Sequence, residues 1–164
     1  MQKYSQKRNK KINDYFHKTS KKIIDYCLAN NIGMVVIGYN PDWKQACQLG
    51  KRNTQNFVTI PYYKLIQQLE NKTEEQGITI IKQEESHSSK CSFLDNELIE
   101  HHDNYAGKRI SRGLFKSKKG IFINADVNGA YNILKKAFLN AVEADRIEDV
   151  GLHPTRWRLA AVTS

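Results

Sequence analysis

The hydrophobic and polar positions predict helices near both ends of the chain and one in its middle. The first is a long amphipathic helix that ends near residue 30, with apolar residues at Ile12, Phe16, Ile23, Cys27 and Leu28. The second begins at Pro61 and stops at Gly77, and its apolar stripe consists of Leu65, Ile66 and Leu69. The third follows residue 124, with apolar side chains at Val127, Ala130, Leu134 and Phe138.

Two short runs of β-branched residues flank the middle helix. Residues 34–37 are a continuous apolar run, which is typical of a strand buried on both faces of a sheet, and residues 78–81 are a short β-branched run directly after the helix. Strand, helix and strand in this order form a crossover unit, so the two strands are predicted to be parallel. Most of residues 38–60 lacks a period and predicts a loop that carries Lys44, Lys51 and Arg52. The fold class is therefore expected to be α/β.

Composition adds a strong positive charge to this picture. The chain has 164 residues, within the range of one domain, and 40% of them are hydrophobic, which is enough for one core. The 26 Lys and Arg residues exceed the 17 Asp and Glu residues, which gives a formal net charge of +9. A polyanionic partner is expected, nucleic acid first and an anionic membrane surface second. Three cysteines without a CxxC pair, and no signal peptide or membrane span, predict a cytoplasmic, nucleoid-associated protein.

The charge is divided into two blocks of opposite sign. Residues 84–103 contain six carboxylates against one lysine, and we expect an irregular acidic insert there. Residues 105–120 contain six Lys or Arg residues, no acid, and three glycines. Together the two segments are predicted to form one hairpin-like unit, with an acidic arm (residues 84–103) and a basic arm (residues 105–120).

The basic segment is the first candidate for binding. Its cations are Lys108, Arg109, Arg112, Lys116, Lys118 and Lys119, and Tyr105 and Phe115 are interleaved with them. The cations suit phosphate contacts and the aromatic rings suit base stacking. The cations also repel one another, and a bound anion relieves that repulsion. Lys51 and Arg52 extend the same candidate surface. The alternative is a solvated surface loop.

Carboxylates at two predicted element ends are candidates for chemistry. Asp126 falls at the start of the last helix, where backbone N–H groups keep a carboxylate ionised and able to bind magnesium. Plain capping by Asn124 or Asp126 is the alternative, and it is the more common role. Glu84 and Glu85 end a predicted parallel strand, the edge where α/β sheets place ligands. Adjacent strand residues point to opposite faces, so at most one glutamate is expected to join Asp126 in a two-metal site.

Cys91 and three histidines in the same region, His87, His101 and His102, suggest a zinc site. Structural zinc sites use paired ligands at short spacing, and one thiol with two adjacent histidines does not match that pattern. A polar loop without zinc is the expectation.

Several segments together resemble the transposon-encoded OrfB, or TnpB, family, which is similar to the type V CRISPR effectors. They are NPDWKQ, LGKRNTQNFV, QEESHSSKCSFLD and INADVNGAYNI, and they lie mostly within residues 34–138. Their joint order is more specific than any one of them. The resemblance implies a RuvC-like, ribonuclease-H-type domain interrupted by a target-nucleic-acid-binding zinc ribbon, acting as a magnesium-dependent, RNA-guided DNA endonuclease.

The resemblance and the predicted elements divide the chain into five parts. Residues 1–32 are a basic N-terminal helix, and residues 33–86 are a RuvC-like strand, helix and strand. Residues 87–120 are the target-nucleic-acid-binding insert, residues 121–140 the last RuvC-like motif with its helix, and residues 141–164 a C-terminal tail.

The match to the family's site residues is partial. Asp126 matches the last catalytic aspartate, but the strand that usually ends in a catalytic glutamate has Gly38 there. Some family members are rearranged, and Glu84 or Glu85 lies where those members supply the acid. The segment from Ser88 to Cys91 matches the opening of the zinc ribbon, but its other cysteines are absent, which implies a metal-free remnant. The first catalytic aspartate and the guide-binding region are expected before residue 1.

These features lead to one expected function and two alternatives. We expect a partial RuvC-like α/β fold with a degenerate zinc-ribbon-like insert, in which Asp126 and Glu85 hold magnesium weakly and the chain alone does not cut DNA. Its expected partners are DNA, guide RNA if the chain joins the N-terminal region, and a split-protein partner. The alternatives are a non-catalytic DNA- or RNA-binding module (a remnant, a repressor-like product or half of a split protein) and a basic scaffold for protein partners.

Overall fold

The computed structural model describes residues 2–40, 61–139, 143–144 and 152–154. The helices and strands in these ranges are α1 (Gln2–Ala29), β1 (Met34–Tyr39), α2 (Tyr62–Glu75), β2 (Thr79–Glu84), β3 (Lys108–Ser111), β4 (Leu114–Lys116), β5 (Phe122–Asn124) and α3 (Ala125–Ala137). Most of the predicted loop, including Lys44, Lys51 and Arg52, lies outside the described residues, as does most of the C-terminal tail. The chain divides into two compact units, and the boundary between them falls within β1 and β2.

The first unit is built on α1 and α2, which pack through their apolar stripes. Phe16, Ile24 and Cys27 of α1 are buried, as are Ile66 and Leu69 of α2. The predicted stripe of α2 is confirmed at these two residues. None of the described helices has the length and apolar character that crossing a membrane requires.

One predicted core position of α1 is wrong. Leu28 is 46% exposed, and Ile24 is buried instead, in a cluster with Cys27 and Ile78. The two helices are also joined by a polar contact, in which Lys72 Nζ donates to Ser20 Oγ at 2.7 Å.

β1 and β2 are neighbours in a two-stranded sheet. At their beginnings, the Thr79 N–H donates to the Gly33 carbonyl at 2.9 Å. At their ends, Gly38 lies beside Glu85. The strands therefore run in the same direction, as the crossover pattern predicts. The expectation that β1 is buried on both faces is wrong, since none of its six residues is fully buried.

The basic segment of the second unit forms an antiparallel sheet in the order β3, β4, β5. Gly113, at φ +78°, lies in the turn between β3 and β4, where a residue with a Cβ would be strained. Residues 85–107, which include all of the acidic segment except Glu84, consist of turns and loops. β5 pairs with β4 and leads directly into α3, so the last helix is joined to this sheet.

The core of the second unit lies between this sheet, the acidic segment and α3. Phe93, Phe115 and Ile123 are at most 1% exposed, and Tyr131 of α3 stacks on Phe93 with ring centroids 4.8 Å apart. The apolar stripe predicted for α3 forms only part of the packed face of this helix, where Val127 is partly buried against the core. Its buried residues are Ala125, Asn128, Gly129 and Asn132, whereas Ala130 is exposed.

Candidate nucleic-acid interface

Asp126 lies in the first turn of α3, but it does not cap the helix. The Asn124 side chain accepts hydrogen bonds from the backbone N–H groups of Asp126 and Val127 at 2.9 and 3.1 Å. Because Asn124 fills the capping role, the Asp126 carboxylate is left for other contacts. That carboxylate is 91% exposed and lies 3.9 Å from the Arg109 guanidinium. The fold thus brings one predicted basic residue to the predicted acid.

Glu85 lies against the glycine near the end of β1. A Cβ atom on Gly38 would be 2.9 Å from Glu85 Oε2 and 2.7 Å from Ile133 Cδ1 of α3. Both distances are shorter than carbon makes in ordinary packing, so a side chain at position 38 would displace these groups. The Glu85 carboxylate therefore occupies the space into which a residue-38 side chain would extend.

Glu84 is directed to a different set of partners. Its carboxylate accepts from Lys136 Nζ at 2.7 Å and from the hydroxyl of Ser86 at 2.7 Å. The hydrogen bond with Lys136, followed by that with Ser86, lowers the pKa of Glu84 to about 2. The two neighbouring glutamates thus contact different groups.

The two carboxylates predicted to bind magnesium, Asp126 and Glu85, lie beside different parts of α3. Asp126 is in the first turn of the helix, and Glu85 lies beside Gly38 and near Ile133, which is seven residues further along α3. The described residues contain no group of three or more His, Cys, Asp or Glu that could hold a metal ion. A magnesium site formed by Asp126 and Glu85 therefore stays a prediction.

The six predicted basic residues of the insert lie on one hairpin and the turn that follows it. Lys108 and Arg109 belong to β3, Lys116 to β4, and Arg112 to the turn between these strands. Lys118 and Lys119 follow β4. All six are exposed except Lys116, which is partly buried. The same prediction for Lys51 and Arg52 falls outside the residues that the structure describes.

A cleft of about 380 Å³ opens at the start of this hairpin. It is lined by Ser89, Lys90, Tyr105, Gly107, Lys108, Arg109 and Phe115. The Tyr105 hydroxyl oxygen is buried and has no hydrogen-bond partner within the described part of the chain. Lys90 Nζ lies 5.9 Å from the Tyr105 ring centroid. Three cations and the side chain of Tyr105 thus line one space, and the three positive charges suit a phosphate group.

The aromatic residues of the basic segment are not placed as the sequence predicted. Phe115 was expected to stack on bases, but it is 1% exposed and belongs to the core, so that prediction is wrong. Its ring fills the space beside Gly107, where a Cβ atom would overlap it. Tyr105 is half-buried, with its ring 5.4 Å from that of His102. The sequence analysis missed Phe122, which is 46% exposed.

Cys91 and the three histidines are not arranged around a common point. The Cys91 side chain is fully buried, and its thiol donates to the Glu100 carbonyl at 3.5 Å. Burial raises the pKa of this thiol, which disfavours the thiolate that zinc requires. His102 contacts the Leu98 carbonyl through its ring nitrogen at 2.8 Å. These donors do not fit a structural zinc site.

Two carboxylates of the acidic segment bind backbone groups instead. Glu97 accepts from the backbone N–H of Ser92 at 2.6 Å and from that of Ala106 at 2.7 Å. Asp95 accepts from the Ser92 hydroxyl and the Lys118 backbone N–H, both at 2.6 Å. The acidic arm therefore folds by satisfying the backbone of its own turns and of the basic arm.

Two asparagines of α3 fasten the acidic segment to the helix, and the sequence analysis did not single them out. The Asn132 amide donates to the carbonyls of Ser88 and Cys91, each at 2.8 Å. The Asn128 amide donates to the Cys91 carbonyl at 2.9 Å and accepts from the Phe93 N–H at 3.0 Å. Their spacing of four residues places both on one helix face. This spacing of two asparagines is the sequence feature that could have indicated a polar buried face.

The fold and this site define a mixed α/β protein with a helix-anchored insert whose hairpin is basic. Residues 62–133 match the family model described as Cas12f1-like, TNB domain. The chain is 36% identical over 85 residues to a TnpB-like protein of Acidianus two-tailed virus, which covers 50% of this chain and 17% of that protein. It is 33% identical over 119 residues to the CRISPR-associated endodeoxyribonuclease Cas12f1 of Sulfoacidibacillus thermotolerans, which covers 71% of this chain and 25% of that protein.

A solved structure gives the same result for the fold. The chain matches the cryo-EM structure of a Cas12f1–sgRNA–target DNA complex with a TM-score of 0.60 and 24% identity, over 79% of this chain and 35% of that one. The chain is a TnpB/OrfB-related family member, as its sequence motifs predict. It spans about a quarter or less of the length of the two curated relatives.

Proposed function

We propose that this chain is the nucleic-acid-binding, C-terminal portion of a RuvC-like nuclease of the TnpB/OrfB-related family, and that it does not cleave DNA by itself. In this proposal the insert at residues 87–120 binds the target nucleic acid. The insert contacts the phosphates through its own side chains, without a metal ion. One relative is named a TnpB-like protein and the other a CRISPR-associated endodeoxyribonuclease, and these names support a nuclease-related function for the family.

The observation that carries the binding proposal is the cleft at the start of the hairpin. Lys90, Lys108 and Arg109 all line it, together with Tyr105. Three like charges around one open space repel one another, and a phosphate group neutralises them.

The arrangement of the acids supports the absence of cleavage. Asp126 lies 3.9 Å from the Arg109 guanidinium, and Glu85 lies beside Gly38. Within the part of the chain that the structure describes, these carboxylates do not converge with a third ligand. We therefore expect Asp126 and Arg109 to orient each other beside the bound phosphates.

A salt titration tests the binding proposal. Affinity of the full chain for a labelled oligonucleotide should fall steeply as salt rises, since each phosphate contact releases counterions. Lys90→Ala and Lys108→Ala should each reduce the slope of log K against log salt by about 1. Lys64→Ala removes the same charge from α2, where it is exposed, and should leave the slope unchanged. Equal slopes for all three variants would contradict the proposed cleft.

A nicking assay tests the second part. Supercoiled DNA incubated with the purified chain and magnesium should remain uncut, and Asp126→Ala should bind DNA at least as well as the unmodified chain. Magnesium-dependent nicking that disappears in Asp126→Ala would show that the chain is a nuclease on its own, while leaving the binding proposal intact.

A further inference from the structure

The strand register places an aromatic ring and two lysines in one row across the insert's sheet. Lys108 of β3 lies opposite Lys116 of β4, and Lys116 lies opposite Phe122 of β5. Residues directly opposite one another in antiparallel strands share a face of the sheet. Phe115 and Ile123 belong to the adjacent row, so they lie on the other face, and both are buried in the core. The row of Lys108, Lys116 and Phe122 therefore lies on the solvent face.

Phe122 is a large aromatic side chain that is exposed on the sheet's solvent face. It is 46% exposed, and Lys116 Nζ lies 5.4 Å from the centroid of its ring. The neighbouring Ile121 is 43% exposed. A half-exposed ring with a cation over it offers both contacts that a nucleotide uses, stacking for the base and a positive charge for the phosphate.

We propose that this row, Lys108, Lys116 and Phe122, binds a single strand of nucleic acid, with one base stacked on Phe122 and phosphates held by the two lysines. This inference rests on the proposed function and names the form of nucleic acid that it takes. A duplex keeps its bases stacked on one another, so only an unpaired base can lie flat on the ring. The strands are about 4.8 Å apart, which puts Phe122 and Lys108 about 10 Å apart across the sheet.

Stacking and charge make different predictions, and these separate the two contributions. Removing the ring should weaken binding of single strands without altering its salt dependence, because no phosphate contact is lost. Removing Lys116 should lower the salt slope by about 1 for any nucleic acid. The structure also offers a matched control: Ile121→Ala removes an exposed apolar side chain adjacent to the ring without removing a π-face.

The test is fluorescence anisotropy of the full chain with labelled oligonucleotides of about 12 nucleotides, within the usual site size for such platforms. The probes are single-stranded DNA, single-stranded RNA of the same sequence, and the corresponding DNA duplex. Phe122→Ala should weaken binding of at least one single strand about tenfold, the value of one stacked base, and leave duplex binding unchanged. The single strand that loses affinity identifies the natural ligand as DNA or RNA.

Further variants exclude a purely apolar role for the ring. Phe122→Trp should preserve affinity for single strands and Phe122→Leu should not, because leucine keeps apolar area but has no π-face. Ile121→Ala should bind as the unmodified chain does. Circular dichroism of each variant confirms that the sheet is folded before affinity is compared.

Three results would overturn the inference. Unchanged single-strand affinity in Phe122→Ala, or full affinity in Phe122→Leu, would remove Phe122 from the binding surface while the proposed function stands. Equal losses for single strands and duplex would mean that the ring supports a general electrostatic surface only. If the unmodified chain binds none of the three probes, both this inference and the proposed function fail.

Discussion

Asp95 is joined to the backbone of Lys118, 23 residues further along the chain, by a hydrogen bond of 2.6 Å. The same carboxylate accepts from the Ser92 hydroxyl at 2.6 Å and from the Lys119 backbone N–H at 3.3 Å. Two turns of the insert, one acidic and one basic, are thereby held together by one side chain. A structural zinc ion would connect such turns in a zinc ribbon. In this chain a carboxylate makes the connection.

Asp95→Asn should therefore destabilise the insert. Hydrogen bonds to a charged group contribute about 1.5 to 3 kcal/mol each, and the amide has one acceptor oxygen where the carboxylate has two. We expect a loss of about 3 kcal/mol in the free energy of unfolding, measured by urea titration. Asp103→Asn is the control, because Asp103 is exposed in the same acidic segment. An equal effect of the two substitutions would contradict the role of Asp95.

Metal removal should leave the insert folded. The Cys91 thiol is buried and its pKa is raised, and the carboxylates of Asp95 and Glu97 already bind backbone N–H groups. We expect the thermal unfolding curve to be the same with excess chelator, with added zinc and with neither. A fall in melting temperature on chelation, reversed by zinc, would show that a metal holds the insert.

Asn132→Ala should loosen the acidic segment from α3. Asn132 is fully buried and its amide donates to two carbonyls, of Ser88 and Cys91. Leaving a buried carbonyl without its donor costs about 1 to 3 kcal/mol, so we expect a loss in that range. Hydrogen exchange at residues 88–93 should accelerate more than exchange in α1. The exposed Asn104 provides the control substitution, Asn104→Ala, for which no such difference is expected.

The elements that periodicity could predict are those that bury an apolar stripe. Ile66 and Leu69 of α2 show this, since the stripe and the buried face coincide. In α3 they coincide only in part: Val127 is partly buried against the core, but the fully buried side chains include Asn128 and Asn132, which bind the backbone of residues 88–93. A polar buried face leaves no hydrophobic period, so the sequence did not predict this part of the packed face.

The candidate site was predictable in its residue types and less so in their directions. The sequence placed Asp126 at a helix start and grouped the cations, and the fold brings Arg109 to Asp126. It could not show which aromatic ring is exposed, because strand register decides that Phe115 faces the core and Phe122 faces solvent. Register depends on pairing between residues distant in the chain, which a local pattern does not contain.

The opposite placement of these two rings is itself testable. Phe115→Ala should lower the free energy of unfolding by about 3 to 5 kcal/mol, because it removes a fully buried ring from the core. Phe122→Ala, on the same sheet, should change it by less than about 1 kcal/mol, since the ring is already half in water. Chemical denaturation of the two variants provides the comparison. Similar losses would mean that both rings face the core.

Gly38→Ala should be destabilising, because the new methyl group meets Glu85 Oε2 and Ile133 Cδ1 at less than contact distance. Overpacking of this kind costs about 1 to 3 kcal/mol, and we expect the lower value because both groups are at the ends of flexible side chains. Gly33→Ala is the control, since nothing lies within 4 Å of a Cβ atom there.

A double-mutant cycle identifies the groups responsible. Gly38→Ala should cost less when it is combined with Ile133→Val, which removes Cδ1, or with Glu85→Ala, which removes the carboxylate. Strict additivity in both cycles would show that neither side chain fills the space beside Gly38. Urea titrations of the single and double variants supply the four free energies that each cycle needs.

Glu84 predicts how stability depends on pH. Its pKa is lowered from 4.5 to about 2 by the hydrogen bonds with Lys136 and Ser86. A carboxyl whose pKa is lower in the folded state binds fewer protons there, so its contribution to stability is present above pH 4.5 and is lost as pH falls toward about 2. The Glu84 side chain is 52% exposed, so solvent screening keeps this contribution small.

Glu84→Gln should remove this pH-dependent contribution, and the stabilities of the two proteins should converge as pH falls from 4.5 to about 2. The measurement is thermal unfolding at closely spaced pH values in low salt, and a constant difference across that range would show that Glu84 titrates normally in the folded protein.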